Sequence, residues 1–222
     1  MALPTASAAV IFDLDGVLTD TAELHFQSWM DIARELDIPF DRTANEALRG
    51  LSRPDSLKLF LGARITRFSD TRQIEIMVRK NRCYLERVEH MSPANLLPGA
   101  RELLATLNAR QIPLAVASSS KNALVVLERL EIQNLLDAVV DGNDVPQSKP
   151  DPRVFLTAAE RLSVPPQRCI VVEDAASGVA GALAGGMKVI GIGPPERVGQ
   201  AHLVVQTLGE LDADRLLAVL DN

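Results

Sequence analysis

Short apolar runs alternate with helical stretches from Pro98 onward, and this alternation restricts the fold more than any other feature of the chain. Residues 101–110 read as helix, 113–118 as strand, 122–130 as helix and 138–141 as a short strand. Residues 151–162 are predicted helical again, followed by strands over 170–173 and 188–192. Such alternation implies right-handed βαβ units and a parallel sheet. One further apolar run, residues 8–14, stands near the start. It is apolar almost throughout rather than at every second position, as expected of a strand covered on both faces. Between this run and the alternating region, residues 20–89 keep a helical pattern. His25, Trp29, Ile32, Ala33 and Leu36 recur on one face, and Ile74, Met77, Tyr84, Leu85 and Val88 make a second stripe before Ser92-Pro93 breaks it. Asp20, with Glu23 three residues on, is predicted to open the first helix with a capping box. The block interrupts the βαβ pattern after its first strand, so it reads as an inserted helical domain. Its connections, near residues 16–20 and 91–98, are the expected hinges.

The first strand ends in Asp13-x-Asp15-Gly16. Alternate side chains of a strand share a face, so the two carboxylates start on the same side. Carboxylates held that close repel, and a shared proton or a divalent cation resolves the repulsion. Gly16 lets the backbone leave the strand sharply. Three later segments deliver complementary groups: Ser118, followed by Ser119, Ser120, Lys121 and Asn122; Lys149 between Ser148 and Pro150; and the acidic pair Glu173-Asp174, followed by Gly178. All fall at or just beyond the carboxyl ends of predicted strands, the edge at which open α/β sheets bind ligands.

The chain has 222 residues, enough for one good core with a small accessory domain. Its net charge is 23 − 29 = −6, which argues against a nucleic-acid or anionic-membrane partner. The two cysteines, Cys83 and Cys169, are expected to be reduced packing residues. No basic region precedes the first apolar residues, and no run is long enough to span a bilayer. A cytoplasmic protein acting as a monomer on a small molecule is the expectation.

The order and spacing of these motifs resemble the haloacid dehalogenase superfamily over essentially the whole chain. Within it, Thr19 to Glu23, His25, Trp29, Arg49 to Arg53, Arg79-Lys80-Asn81 and Ser118 to Asn122 are similar to the β-phosphoglucomutase-like subfamily. The resemblance implies a Rossmann-like parallel sheet core over residues 1–17 and 94–222, with an all-helical cap over 18–93. It implies Asp13 as nucleophile, forming an aspartyl-phosphate, and Asp15 as general acid-base. An aspartate at position 15 argues against dehalogenation. Mg²⁺ is implied between Asp13, the backbone carbonyl of Asp15, Glu173 and Asp174. Ser118 would donate to the phosphoryl oxygens, and Lys149 would neutralise charge there. His25 would contact the acid-base, and Trp29 either packs or meets substrate.

Arg53 is the discriminating residue, because a phosphosugar mutase must hold a second phosphate far from the nucleophile. Ser120, Lys121 and Asn122 would complete that distal site. Arg49 and Lys80, with Gly50 and Ser52, would face sugar hydroxyls or the second phosphate. The chain departs from the pattern at Arg49, where familiar members carry lysine, and at Ala175-Ala176, where they carry a polar pair. The expected reaction is interconversion of β-D-glucose 1-phosphate and glucose 6-phosphate, primed by glucose 1,6-bisphosphate. A sugar-phosphate phosphatase with the same nucleophile is the alternative. A regulatory phosphosugar-binding protein, the third reading, is disfavoured by the intact set of Asp13, Asp15, Lys149 and Asp174.

Overall fold

The computed structural model describes residues 8–221. The expectation of no leader at the amino terminus, and the outermost ends of the expected core, lie outside those residues.

In chain order the elements are β1 (Ala9–Phe12), α1 (Thr21–Leu36), α2 (Arg42–Glu46), α3 (Arg53–Leu61), α4 (Asp70–Val88), α5 (Ala100–Ala109), β2 (Leu114–Ala117), α6 (Ala123–Arg129) and β3 (Ala138–Val140). Then follow α7 (Arg153–Arg161), β4 (Cys169–Glu173), α8 (Ala176–Ala184), β5 (Lys188–Ile192), α9 (Pro195–Val198), β6 (Leu203–Val205) and α10 (Ala213–Leu217). Among the described residues the strands form one six-stranded sheet in the order β3-β2-β1-β4-β5-β6. Every pairing is parallel, as the alternation predicts. The order reverses beside β1, which places a topological switch point between β1 and β4, where such sheets open a crevice.

Strand periodicity explains how both faces are covered. Val10 and Phe12 enter the apolar cluster under α5, α6 and α10, whereas Ala9 and Ile11 enter the one under α7, α8 and α9. A third cluster belongs to the helical cap: Trp29, Ile32, Ala33, Leu57, Phe60, Leu61 and Ile76 pack together, with the Trp29 and Phe60 rings stacked at 4.9 Å. The cap is not sealed off from the core. Tyr84 and Val88, at the end of α4, join the sheet-face cluster with Leu14, Val17 and Leu18. The two crossings run side by side: Thr19 Oγ1 donates to the Asn95 carbonyl at 2.7 Å, and the Leu97 amide donates to the Leu18 carbonyl at 2.9 Å. Cys83 and Cys169 are buried and free, as expected.

Two local expectations are corrected. Asp20 precedes α1, but its side chain makes no capping bond. Glu23 accepts instead from Arg42 on α2 at 2.7 and 3.2 Å, which removes the carboxylate the box requires. The buried stripe of α4 is Ile76, Lys80, Cys83, Tyr84 and Val88, whereas Ile74 is 56% exposed. The stripe passes through a lysine, which a count of apolar residues skips. β6 and the helices α8, α9 and α10 are further elements that the periodicity did not single out.

Candidate active site

Asp13 follows β1 directly, and its amide donates to the Val172 carbonyl of β4 at 2.9 Å, so the switch point itself holds the carboxylate. Glu173 ends β4, and its Oε1 accepts from the amides of Asp174 and Ala175 at 3.0 and 2.9 Å. Those two bonds turn the chain into α8 and aim Asp174 toward Asp13. Lys149, fully buried, donates to Asp13, to Glu173 at 2.7 Å and to the Ala117 carbonyl at 3.2 Å. An ammonium has three donors, and all three are used. Burial works against that charge, but the two carboxylates overcome it and raise the Lys149 pKa. Burial, then the nearby Glu173, pushes Asp13 well above the usual carboxylate range, against the pull of Lys149.

Asp15 leaves the strand beside them. Its Oδ1 is shut from solvent without a hydrogen-bond partner. Burial pushes this carboxyl up to about 6, with Lys149 and Lys80 opposing the rise, a range in which a carboxyl can both give and take a proton near neutrality. Gly16 adopts φ +90°, and a Cβ there would collide with the Asp174 carboxylate, so glycine is required twice over. Carboxylate oxygens of Asp13, Glu173 and Asp174 lie within 4.8 Å of one another. The floor carries Asp13, Asp15, Glu173 and Asp174 against Lys149 and Arg49, −4 + 2 = −2. An all-oxygen donor set from Asp13, Glu173 and Asp174, with a formal surplus of two negative charges around it, fits a hard divalent cation.

Above the floor a cavity of about 500 Å³ separates sheet edge from cap. Asp13, Asp15, His25, Trp29, Arg49, Gly50, Ser52, Arg53, Lys80, Ser120 and Lys121 all line it. Its far wall holds Arg53 at the start of α3, whose guanidinium donates to Asn81 Oδ1 at 2.6 Å. The same oxygen accepts from Asn122 of the core at 2.8 Å, so one amide ties cap to core beside the arginine. No carboxylate among the described residues pairs with Arg53 or Lys80 within ion-pair distance. Burial lowers the Arg53 pKa, and burial followed by the repulsion of Arg53 brings Lys80 down to about 7.

Several of the predicted residues make contacts that the sequence does not specify. His25 meets Lys80, with Nζ and Nδ1 2.5 Å apart, and stacks on Tyr84 at 4.2 Å. Burial, then Lys80, pushes its pKa well below the usual range. Trp29 is buried in the cap cluster with an edge on the cavity. Arg49, expected at sugar or second phosphate, is ion-paired to Asp174. Ser118 is fully buried at the end of β2, and its hydroxyl accepts from the Ser120 amide at 3.0 Å. Gly50, at φ +76°, brings the cap backbone against the core: Ser119 Oγ donates to its carbonyl at 2.9 Å. Ser52 caps α3, accepting from the Asp55 amide at 3.3 Å, and its own amide donates to Ser148 Oγ at 3.3 Å. Asn81, Ser119, Ser148 and Arg197 were missed as site residues. The first three adjoin residues that were named, whereas Arg197, donating to the Asp174 carbonyl at 2.6 Å, had no sequence signal.

An aspartate-bearing strand end, a buried lysine and an acidic pair around one sheet crevice are the arrangement of a class of phosphoryl-transfer proteins, and the chain belongs to the haloacid dehalogenase-like hydrolase family, whose model matches residues 8–186. It is 44% identical over 210 residues to β-phosphoglucomutase of Bacillus subtilis, covering 94% of this chain and 93% of the relative. A crystal structure of β-phosphoglucomutase from Clostridium difficile superposes with a TM-score of 0.93 at 34% identity, covering 96% and 97% of the two chains. A phosphorylated carbohydrates phosphatase of Thermotoga maritima is 31% identical, covering 96% of this chain and 97% of the relative.

Proposed function

We propose that the chain is a Mg²⁺-dependent phosphosugar mutase that converts β-D-glucose 1-phosphate to glucose 6-phosphate. The observation that carries this reading is the far wall of the cavity. Arg53, Lys80 and Lys121 bring cationic side chains to a cavity whose opposite end holds the nucleophile, and the first two have no acidic partner there. A phosphatase needs only the near end, whereas a mutase needs an anion subsite at both ends.

In the proposed cycle a bisphosphate primes the enzyme by giving a phosphoryl group to an Asp13 carboxylate oxygen. The phosphorus–oxygen bond to the sugar breaks, and Asp15 protonates the departing sugar oxygen. β-Glucose 1-phosphate then enters with its phosphate on Arg53, Lys80, Lys121 and Asn122. Asp15 takes the proton of the 6-hydroxyl, whose oxygen attacks the phosphoryl group and frees Asp13. The bisphosphate turns end over end, Asp13 accepts the 1-phosphoryl group, Asp15 returns the proton, and glucose 6-phosphate leaves. Lys149 neutralises Asp13 throughout, and Ser118 orders the loop that carries Ser120 and Asn122. Mg²⁺, held by Asp13, Glu173, Asp174 and the Asp15 carbonyl, would offset charge on the transferring phosphoryl group. His25 and Lys80 link the cap to the acid-base.

The reading takes residues 1–17 and 94–222 as core and 18–93 as cap, acting as a cytoplasmic monomer. No helix among the described residues is long and apolar enough to cross a membrane. The phosphatase relative supports a second reading, in which water replaces the sugar hydroxyl. Phosphorus and proton NMR of the enzyme with Mg²⁺, hexose 1-phosphates and a trace of bisphosphate separates the two. Hexose 6-phosphate supports the mutase; inorganic phosphate alone overturns it.

A further inference from the structure

Arg49 does something that a sugar-binding residue would not. It sits between α2 and α3 on the cap, yet its guanidinium reaches across to the carboxylate of Asp174 on the core. A Cβ at residue 16 would lie 3.0 Å from Arg49 Nη1, so Gly16 is what leaves space for the guanidinium to enter. The contact is braced from behind. Arg49 Nε is 3.5 Å from Glu46, Glu46 is 3.7 Å from Arg197, and Arg197 Nε donates to the Asp174 carbonyl at 2.6 Å. The braced guanidinium thus rests on one of the three carboxylates grouped closely enough to share a metal ion.

We propose that Arg49 is a resident cation that competes with the divalent ion for Asp174, so that this residue sets the metal affinity of the site. A guanidinium and a divalent ion on one carboxylate repel strongly in a partly desolvated crevice. Metal binding therefore proceeds by exchange: the ion takes Asp174 and the guanidinium withdraws. Because Arg49 belongs to the cap and Asp174 to the core, the same exchange links the ion to cap–core contact, and the coupling is reciprocal. Without the ion the arginine holds the two parts together; with it, that bond is released.

The inference rests on the reading of Asp13, Glu173 and Asp174 as the metal site, and the test separates the two. Mg²⁺ is titrated calorimetrically into the full chain, without sugar, at fixed pH and ionic strength. Arg49→Ala and Arg49→Gln are each expected to bind Mg²⁺ about tenfold more tightly than wild type. Arg49→Lys, which keeps the charge, is expected to stay within about threefold of wild type. Lys121→Ala removes a cavity charge that touches no carboxylate and controls for general electrostatics; it should change the affinity less than twofold. In small-angle scattering, metal-free Arg49→Gln is expected to show a larger radius of gyration than metal-free wild type. Equal or weaker Mg²⁺ binding by both neutral variants overturns the exchange, as does an equal gain from Lys121→Ala. A wild type that takes up no Mg²⁺ overturns the metal reading itself.

Discussion

The two ends of the cavity solve opposite electrostatic problems. At the core end negative charge is in excess, and Lys149 is bonded on all its donors to Asp13, Glu173 and the Ala117 carbonyl. At the cap end the excess is positive, because neither Arg53 nor Lys80 has a carboxylate in contact; burial lowers the basicity of both, and Arg53 lowers that of Lys80 further. One end is short of a cation and the other of an anion. A substrate with a phosphate at each extremity, bound beside a divalent ion, relieves both. In the proposed cycle the difference also ranks the residues: groups at the core end take part in bond making, whereas groups at the cap end hold and orient.

The sharpest way to break this comparison is to remove a bond-making group. Asp13→Ala should abolish turnover, since no neighbouring group supplies a covalent phosphoryl acceptor. Steady-state assay retaining more than about a hundredth of wild-type activity would reject Asp13 as nucleophile. Asp15→Asn comes next, with an expected loss of roughly 10² to 10⁴ in kcat, the usual contribution of a general acid-base. Its Mg²⁺ affinity should stay near that of wild type, because only the backbone carbonyl of residue 15 is proposed to face the ion. Unchanged kcat would shift the proton to another group, His25 first.

Arg53→Ala tests the other end. The expected cost in kcat/KM with hexose phosphate is about 1.5 to 3 kcal/mol, the scale of a charge-assisted hydrogen bond to phosphate. Phosphorylation of Asp13 by acetyl phosphate should change little, because that donor has no second phosphate to anchor. If both reactions fall together, Arg53 shapes the fold rather than the distal subsite. If neither falls, the two ends are not a matched pair and the phosphatase reading moves ahead.

The core end was legible because its groups are close in sequence to strand ends, where a period of two residues and one sheet edge fix their placement. Asp13, Glu173 and Asp174 needed no knowledge of packing, whereas Lys149, nine residues beyond β3, was placed by the resemblance. The cap end combines residues 53, 80, 81 and 122 from α3, α4 and the loop before α6, and no period within one element brings them together. There the resemblance named the residues, but only the fold shows that the Asn81 amide joins them or that Arg49 turns to Asp174. α8 was hidden for a related reason. Gly178 and Gly181 have low helix propensity, yet a Cβ at 178 would collide with Glu173 and one at 181 would press on the Pro150 carbonyl at 3.1 Å. β6 is three residues long and only partly buried, too brief for periodicity to register.

The smallest expected effect concerns the proton on Lys80, and it probes the cap end without removing its arginine. The ammonium is buried beside His25, Trp29 and Tyr84, repelled by Arg53 and more weakly by Arg87, with Asp15 and Cys83 opposing the shift to about 7. At pH 8 the free enzyme therefore holds Lys80 mostly neutral. A phosphate dianion at the distal subsite favours the charged form and raises that pKa, so binding must take up a proton between the free and bound values. Below pH 7 the lysine already carries its proton, and no uptake remains. Affinity for hexose phosphate should accordingly fall as pH rises above 7, by at most tenfold per unit. Calorimetry at pH 8 in two buffers of different ionisation enthalpy should show uptake of up to about one proton. At that pH the substrate phosphate is a dianion, since its second pKa is near 6, and Asp15 and Asp174, at about 6 and 7, are mostly ionised. Lys80→Met should abolish the uptake while costing about 1 kcal/mol in binding, less than the loss of Arg53 because the ammonium was already partly discharged. Uptake that persists in Lys80→Met would assign the proton to another buried group, His25 or Asp13, and leave Arg53 as the principal anchor of the cap end.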